Sequence, residues 1–304
     1  MFDLARLPFS PGATPDVFTA FRLALERAGT PTEAAIAEPE IWPAAMPDFD
    51  WEGAGRAWPP ALSQAHREAN SDARASVPLH DPSWQIGEAE AQAHWAGYLA
   101  DGTAHRYKAT RNGLHGARFS TKLSPWLAWG AISARQAQHA LTAWEAEHGA
   151  SESSRWIAFE LLWREHFRLM HHKHGRKLFQ ARGLSQQPVP AHNEAAFDRW
   201  CRGQTGQALV DAGMRELRAT GWMSNRLRQV VASHLIHDLG GDWRAGAAWF
   251  ESCLIDFDVF SNQGNWAYIA GRGTDPRGGR RFDPDKQARE HDPAGEHRRR
   301  WSAP

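Results

Sequence analysis

Two cysteines, Cys201 and Cys253, are all that the 304-residue chain contains. So low a cysteine count argues against a disulfide-built scaffold and favours reduced thiols. No run of about 18 apolar residues occurs, so the sequence predicts no membrane-spanning helix. The first residues lack the basic segment and apolar stretch of a secretory signal, and a cytoplasmic protein is therefore expected.

Net charge is also absent, because 35 Lys and Arg residues balance 35 Asp and Glu residues. The balance conceals an asymmetry. Residues 1–100 hold 6 basic and 14 acidic residues, which leaves 29 basic and 21 acidic residues in the remainder. A basic C-terminal part is compatible with a phosphate-bearing partner. Two solvated surfaces of opposite sign explain the asymmetry equally well.

Tryptophan is the residue that is unusually abundant, with 16 copies against three tyrosines. A buried indole needs a partner for its N–H group, so this abundance indicates an interior with specific polar contacts. Hydrophobic and charged residues make up 42% and 23% of the chain, which is typical of a globular protein. The length allows one large domain, or one domain with an appendage.

Apolar residues recur every three or four positions along much of the chain, with capping residues at the ends of these runs. The predicted helices cover 14–29, 133–149, 156–170, 208–220, 227–239 and 242–254. No short apolar strands alternate with them, so the predicted fold class is all-α. Residues 1–62 are predicted to form an N-terminal helix and an irregular connector, and 63–304 a helical domain. The segment 271–279 and the tail from Arg280 are predicted to be a loop and a basic surface.

Residues 221–268 contain polar side chains that packing alone does not explain. Asn225, Arg228 and Asn262 lie among apolar helical runs that also contain several tryptophans. Polar groups among aromatic rings are typical of a mostly apolar cavity for a large, flat ligand with polar edges.

Asp256 and Asp258 lie in the same region, within the apolar motif LIDFD. Buried carboxylates need partners, and Arg228 is the candidate partner of Asp256. An acid–base pair of the glycosidase type is the competing interpretation. It is the weaker one, because residues i and i+2 point in different directions on a helix.

Ser120, Thr121, Lys122 and Ser124 cluster just before an apolar helix start. Hydroxyl groups, a lysine and free backbone N–H groups at a helix N-terminus form a good diphosphate site. Ordinary N-capping by Ser124 ahead of Pro125 is the alternative, and these residues alone favour it.

Glu160 and Trp163 are three residues apart, so they share one face of a predicted helix. A carboxylate beside a large aromatic ring can hydrogen-bond to a nucleobase and stack on it. The alternative places Trp163 in the core and pairs Glu160 with Arg164, one turn further on. Sequence alone favours the alternative.

Four histidines follow in the same segment, namely His166, His171, His172 and His174. His171 and His174 have a spacing found in metal sites, but no HExxH motif or cysteine cluster accompanies them. The sequence therefore predicts a solvated basic face and no metal site.

Several motifs, taken together and in order, resemble the photolyase/cryptochrome family and its DASH branch in particular. They are YKATRNGL with FSTKLSPWLA, FELLWRE, VDAGMREL with TGWMSNRLRQ, and LIDFDVFSNQGNWAYIAG. The ordered match covers about residue 100 to the C-terminus, and TPDVFTAFR resembles the segment that follows the antenna domain in that branch. The resemblance implies an all-α domain that binds FAD in a folded conformation. The family's α/β antenna domain has no counterpart in this chain.

The resemblance also implies roles for individual residues. Those around the diphosphate would be Tyr107, Ser120, Thr121, Lys122, Leu123 and Ser124. Arg228 and Asp256 would pair beside the flavin ring, with Asp258 near its pyrimidine edge and Asn262 near N5. Asparagine at that last position is the residue that photolyases use. Arg164, Phe167, Asn225 and Phe257 complete the implied cofactor-binding set.

Other positions match the pocket that receives a flipped-out pyrimidine dimer. These are Glu160, Trp163, Asn225, Arg226, Gln229 and Tyr268. Extruding a lesion costs a few kcal/mol, and stacking on Trp163 returns about 1–3 kcal/mol. Glu160 would stabilise the dimer radical anion electrostatically. Asn225 and Gln229 stand where (6-4) photolyases have histidines, which argues against that lesion.

Trp266 and Trp243 match the two inner members of the family's photoreduction chain. With Glu160 and Asn262 they make up the implied catalytic set. Ungapped counting puts the outer member at Pro190, which cannot serve. Leu227 and His166 also depart from the DASH pattern.

The implied activity is blue-light-driven repair of cyclobutane pyrimidine dimers by electron transfer from reduced FAD. The alternative is a flavin photoreceptor or redox-signalling cryptochrome without repair activity. A third interpretation is an interaction domain with a vestigial flavin site. The implied partners are dimer-containing DNA and a second copy or another protein that covers the face occupied elsewhere by the antenna domain.

Overall fold

The computed structural model describes residues 1–36, 72–79, 81, 84, 85, 87–189 and 192–302. Within these residues all regular secondary structure is helical, which confirms the predicted fold class. The α-helices are α1 (Phe18–Ala28), α2 (Glu88–Ala100), α3 (Tyr107–Thr110), α4 (Ser124–Trp129), α5 (Ala134–His148), α6 (Glu152–His174), α7 (Glu194–Cys201), α8 (Ala208–Thr220), α9 (Asn225–His237), α10 (Trp243–Cys253), α11 (Val259–Ile269), α12 (Pro284–His291) and α13 (Glu296–Arg300). Short 3-10 helices cover Leu4–Arg6, Pro11–Ala13, Thr103–Arg106 and Gly175–Phe179. Most of the predicted connector, 37–62, and Pro190 lie outside the described residues.

The predicted helix ends are confirmed where capping residues mark them. Ser133 accepts a hydrogen bond from the backbone of Gln136, whose side chain returns one, and α5 begins there. Helix α8 ends at Gly221, which has the left-handed conformation that glycine adopts without strain. None of the helices in the described segments is long and apolar enough to cross a membrane.

Helix α6 is central to the packing of the fold, since α1, α3, α5 and α11 all pack against it. Its buried side chains include Ile157, Leu161, His166 and Leu169, which lie on more than one side of the helix. The helix was predicted correctly. Its apolar period of three or four residues predicts a single buried face, however, and the structure buries several. Neighbours on several sides place residues such as Glu160 and Trp163 at a junction of helices.

Two glycines let α11 approach its neighbours closely enough to form one wall of the site. A Cβ atom on Gly246 of α10 would lie 2.2 Å from the Trp266 ring, and one on Gly264 would lie 2.3 Å from the Phe167 ring. Helix α11 therefore fits between α10 and α6 only because these positions lack side chains. This contact sets the depth at which Trp266 and Asn262 lie.

The tail from Arg280 was predicted to be irregular surface, and this prediction is wrong. Helices α12 and α13 form there and pack against α8. Asp283 caps α12, and Trp301 is 1% exposed. Short charged segments show no apolar period, so their helicity comes from caps and tertiary contacts that the sequence pattern does not reveal.

The segment 271–279 forms a loop, as predicted, but it is not merely a basic surface. Arg272 is buried, and its guanidinium group donates to the carbonyl oxygens of Gln187 and Pro188 at 2.7 Å each. The loop is therefore tied to the segment that follows α6.

The predicted solvated histidine face is wrong for His166 and His171, which are buried, whereas His172 is exposed. The His166 Nε2–H group donates to the Pro15 carbonyl oxygen at 3.1 Å, and burial lowers the pKa of this imidazole to about 4. The N-terminal segment folds over this side of α6, a long-range contact that local spacing cannot show. No group of three metal-ligating side chains occurs in the described part of the chain.

Candidate functional site

A cavity of about 510 Å³ between α6, α9, α11 and the loop before α4 collects most of the predicted site residues. Its predicted lining residues are Tyr107, Ser120, Thr121, Lys122, Leu123, Ser124, Glu160, Trp163, Arg164, Phe167, Asn225, Arg228, Gln229, Asp256, Phe257, Asp258, Asn262, Trp266 and Tyr268. Arg226 and Trp243 are the predicted residues that lie outside the lining. The volume is in the range of cofactor and small-molecule sites.

Arg228 and Asp256 form the ion pair that the sequence predicted. The Arg228 Nη2 group lies 3.0 and 2.8 Å from the two carboxylate oxygens of Asp256, and its Nε donates to the Met223 carbonyl at 2.9 Å. The Asp256 side chain is 1% exposed. Because both charges are partnered, the pair can remain at the wall of a water-poor cavity.

Asp256 and Asp258 lie in the turn between α10 and α11, after the end of the predicted helix 242–254. Asp258 is the N-cap of α11 and accepts from the Ser261 backbone N–H at 2.8 Å. Its other carboxylate oxygen lies 3.4 Å from Arg164. Each carboxylate therefore has its own arginine, an arrangement that favours holding charge over glycosidase-type acid–base chemistry.

Lys122 is a buried amine, and no counter-ion contacts it among the residues that the structure describes. Its side chain lies over the rings of Phe119 and Trp222 at 3.5 and 3.6 Å, and Nζ has no hydrogen-bond partner in the described part of the chain. Burial lowers the pKa of this amine well below 10.5. Its φ of 54° is the one positive value on a non-glycine residue in that part. An uncompensated amine on a strained backbone at a cavity wall indicates a site for an anion.

No hydroxyl group of the loop before α4 is the N-cap of that helix, although the Thr121 Oγ1 accepts from the Leu123 backbone N–H at 3.5 Å. Ser124 is the first residue of α4, and the N-cap position falls on Leu123, with no side-chain capping bond. The alternative of N-capping by Ser124 is therefore wrong. His94 Nε2 lies 2.8 Å from the Thr121 carbonyl oxygen and anchors the loop from α2.

Glu160 is held by Arg111 and Trp156, and the alternative pair with Arg164 does not form. The Arg111 guanidinium and the Trp156 N–H both contact Oε1, at 2.8 and 3.0 Å. Neither contact uses Oε2. Burial raises the pKa of the Glu160 carboxyl, and the Arg111 charge opposes this shift.

Trp163 lines the cavity and also packs on other rings. Phe18 of α1 stacks on the indole with ring centroids 3.8 Å apart and planes 5° from parallel. Tyr268 meets it edge to face at 5.6 Å, and the Tyr268 hydroxyl accepts from Arg280 at 2.7 Å. The alternative that Trp163 is core is thus correct for one side of the ring only.

Helix α9 presents two amides to the cavity, Asn225 and Gln229, which lie one turn apart. Arg226 of the same helix instead donates to the side-chain oxygen of Asn112 at 3.0 Å. The expected direct role of Arg226 in the pocket is therefore not supported by its position.

Asn262 and the two tryptophans of the implied photoreduction chain differ in position. The Asn262 amide donates to the Ala247 carbonyl at 3.0 Å while lining the cavity. Trp266 lines the cavity and is 2% exposed. Trp243 is buried behind it and donates to the Ala181 carbonyl at 3.2 Å.

Two arginines of the site were not singled out from the sequence. Arg111 lies inside the quoted motif YKATRNGL, so its partner Glu160 could have been sought there. Arg280 lies in the tail that was interpreted as surface, yet it lines the cavity and bonds to Asp275 at 3.0 Å. No local sequence pattern indicates that Arg280 lines the cavity.

Fold and cavity together define an all-helical domain for a large ligand with both an anionic and a flat aromatic part. The uncompensated Lys122 amine fits a diphosphate, and the buried pair of Arg228 and Asp256 fits the polar edge of a ring system. These observations fit FAD.

The comparisons with known proteins agree with this class. Residues 156–303 match the family described as the FAD binding domain of DNA photolyase. Cryptochrome DASH of Danio rerio is 43% identical over 97% of this chain, which spans 55% of that protein. The structure of Synechocystis sp. PCC6803 cryptochrome superposes with a TM-score of 0.78 at 39% identity, covering 98% of this chain and 60% of that one. A bacterial class III photolyase from Agrobacterium tumefaciens gives 0.75 at 29% identity, covering 97% and 60%.

The chain therefore belongs to the photolyase/cryptochrome family, and FAD is the cofactor of its helical domain. It spans between half and two thirds of the length of the relatives named above.

Proposed function

We propose that this protein, with reduced FAD bound, uses blue light to repair cyclobutane pyrimidine dimers in DNA, including single-stranded DNA. The observation that carries the proposal is the cavity, whose lining includes charged side chains (Lys122, Arg228 and Asp256, here the charged wall) and aromatic and amide side chains (Trp163, Asn225 and Gln229, here the aromatic wall). When bound, reduced FAD supplies the light-excited electron that splits the dimer. The chain's own side chains bind and orient the two ligands.

The charged wall would hold the cofactor. Lys122 would take the diphosphate as its missing counter-ion, with the hydroxyls of Ser120 and Thr121 beside it. Arg228, fixed by Asp256, would face the polar edge of the ring system. Burial excludes water from these groups, so their contacts with the cofactor are stronger than in solution.

The aromatic wall would hold the lesion. Trp163 offers a flat surface for a base that has been flipped out of the strand, and stacking contributes about 1–3 kcal/mol per base. The amides of Asn225 and Gln229 supply donors and acceptors for the base edges. A dimer is already poorly stacked, so its extrusion costs less than that of an intact base.

Glu160 would act on the carbonyl groups of the dimer. Arg111 and Trp156 fix Oε1, which leaves Oε2 available towards the cavity. Burial raises the pKa of this carboxyl, and the Arg111 charge opposes the shift. When protonated, a carboxyl group at this place would donate a hydrogen bond to a carbonyl oxygen as negative charge develops there.

The experiment follows the repair of a dimer-containing oligonucleotide by the reduced holoprotein under blue light, with a dark control. Single- and double-stranded substrates are compared. Glu160→Ala should lower repair per absorbed photon by about 10-fold or more while FAD stays bound. Glu152→Ala, an exposed change on the same helix, is the matched control and should repair normally.

Bound FAD without repair of either substrate would instead support the photoreceptor or redox-signalling alternative. A protein that retains no FAD would contradict both. Equal repair by the Glu160→Ala and wild-type proteins would contradict the role of Glu160 alone.

A further inference from the structure

We propose that Phe18 is a positioning residue for the lesion site, because it fixes the indole of Trp163 from behind. This inference rests on the proposed function, since Trp163 is the ring on which a flipped base would stack. Phe18 is 6% exposed and lies in α1, which is remote in sequence from the rest of the site.

The contact between the two rings is unusually close. Their centroids are 3.8 Å apart and their planes differ by 5°, whereas aromatic pairs in proteins usually prefer offset or edge-to-face geometry at about 4.5–7 Å. Phe18 does not line the cavity, but Trp163 and its edge-to-face neighbour Tyr268 do. The Phe18 ring therefore covers one face of the indole without lining the cavity itself.

Helix α1 is itself fastened to α6, the helix that carries Trp163. His166 contacts the Pro15 carbonyl at 3.1 Å, and Lys173 donates to the Thr14 carbonyl at 2.8 Å. Asp16 lies 2.9 Å from the same lysine and 2.7 Å from His174. The residues immediately before α1 thus fix the position of Phe18 along α6.

A ring fixed in this way loses little freedom when a base stacks on it. A base that stacks on a mobile indole must first order that side chain, and the ordering reduces affinity. With Phe18 behind it, Trp163 presents one face in one orientation.

The test uses Phe18→Leu in the full-length holoprotein, with Phe21→Leu as the matched control. Phe21 is a fully buried residue of the same helix that packs on Phe9, Phe18 and His166. Both variants lose the same atoms, so similar decreases in Tm are expected. Only Phe18→Leu should raise the Kd for a dimer-containing oligonucleotide, by about 5- to 10-fold.

Two further measurements separate positioning from simple loss of stability. In 5-fluorotryptophan-labelled protein, the resonance that disappears in Trp163→Phe belongs to Trp163. Phe18→Leu should shift or broaden this resonance, and Phe21→Leu should leave it unchanged. In a Trp163→Leu background, Phe18→Leu should cause no further loss of affinity, because coupled residues are not additive.

An unchanged Trp163 resonance in Phe18→Leu would overturn the inference, as would equal dimer affinities of the two leucine variants. If the wild-type protein does not distinguish dimer-containing from undamaged oligonucleotide, the proposed function fails. In that case the fluorine resonance alone decides whether Phe18 fixes the indole.

Discussion

Arg228 and Lys122 are basic side chains at the same cavity, yet within the described segments only Arg228 has a counter-ion in contact. Arg228 lies 2.8 Å from the Asp256 carboxylate, whereas Lys122 is packed between two aromatic rings. The first arrangement is complete without a ligand. The second leaves a buried amine whose charged form is disfavoured until an anion arrives, at a cost in stability.

The difference indicates two kinds of contribution to cofactor binding. A paired arginine keeps its geometry whether or not the ligand is present, so it orients the ligand. An unpaired lysine gains its counter-ion only from the ligand, so it adds to affinity at a cost in stability. Substitutions at the two positions should therefore affect folding in opposite directions.

The largest effect is expected from Asp256→Asn, which breaks the paired arrangement. Arg228 would keep its charge but lose the carboxylate, at a cost on the order of 2–5 kcal/mol. Both the free energy of unfolding and the retention of FAD should fall. Urea unfolding and the flavin absorbance of the purified protein measure the two effects.

Asp258→Asn is the control for that variant. Asparagine caps a helix as well as aspartate does, and the contact with Arg164 is longer, at 3.4 Å. The expected loss of stability is about 1 kcal/mol or less. Equal losses in the two variants would contradict the special status of the Arg228–Asp256 pair.

Lys122→Met should separate stability from affinity. Without FAD, removing the uncompensated amine should stabilise the protein by about 1–3 kcal/mol. Affinity for FAD should fall at the same time, by about 10-fold or more, because charge-assisted contacts with the diphosphate are lost. Chemical denaturation of the FAD-free protein and titration with FAD test the two signs.

The lysine also predicts a direction with pH. Its folded-state pKa is lowered, so the native protein binds fewer protons than the unfolded chain below pH 10.5. The contribution of Lys122 to the stability of the FAD-free protein should therefore rise with pH towards that value, and the difference between Lys122→Met and wild type should shrink accordingly. Lys108→Met, at a lysine whose partner Glu152 is exposed, should change neither stability nor FAD affinity appreciably. A loss of stability in Lys122→Met would contradict the conclusion that the unpaired lysine adds to FAD affinity at a cost in stability.

The charged wall could be predicted from the sequence to a greater extent than the aromatic wall. Asp256 in an apolar run required a partner, and Arg228 was the candidate within the same motif region. The contact of Phe18 with Trp163 joins segments far apart in sequence, and no periodicity reports it. Helix ends at Ser133 and Gly221 were predictable because caps act locally.

What the sequence missed depends on tertiary contacts in every case. The C-terminal helices α12 and α13 have no apolar period, and His166 is buried only because residues 14–18 fold over it. Arg280 reaches Tyr268 from a tail that reads as basic surface. Local patterns report which residues can pair, whereas burial is decided by elements that arrive from elsewhere in the chain.

The smallest effect is expected at Glu216, the buried carboxyl whose charge would act on Lys122. It is completely buried, with one oxygen 3.5 Å from Ser76 and the other 3.8 Å from His297. Burial raises its pKa to about 8, against the opposing charges of Lys122 and Arg228. The native state therefore keeps a proton that the unfolded chain releases near pH 4.5.

A raised folded-state pKa gives stability that is complete below pH 4.5 and is lost as pH rises through about 8. Glu216→Gln cannot titrate, so the difference between its stability and that of wild type should grow by about 2 kcal/mol between pH 6.5 and 8 and then stay constant. The pKa of His297 is lowered to about 4, so the titration of this residue reduces the stability of the protein only as pH falls below about 6.5, outside this window. If the stabilities of wild type and Glu216→Gln change in parallel with pH, Glu216 is already ionised at neutral pH. Lys122 would then have a counter-charge that does not contact it.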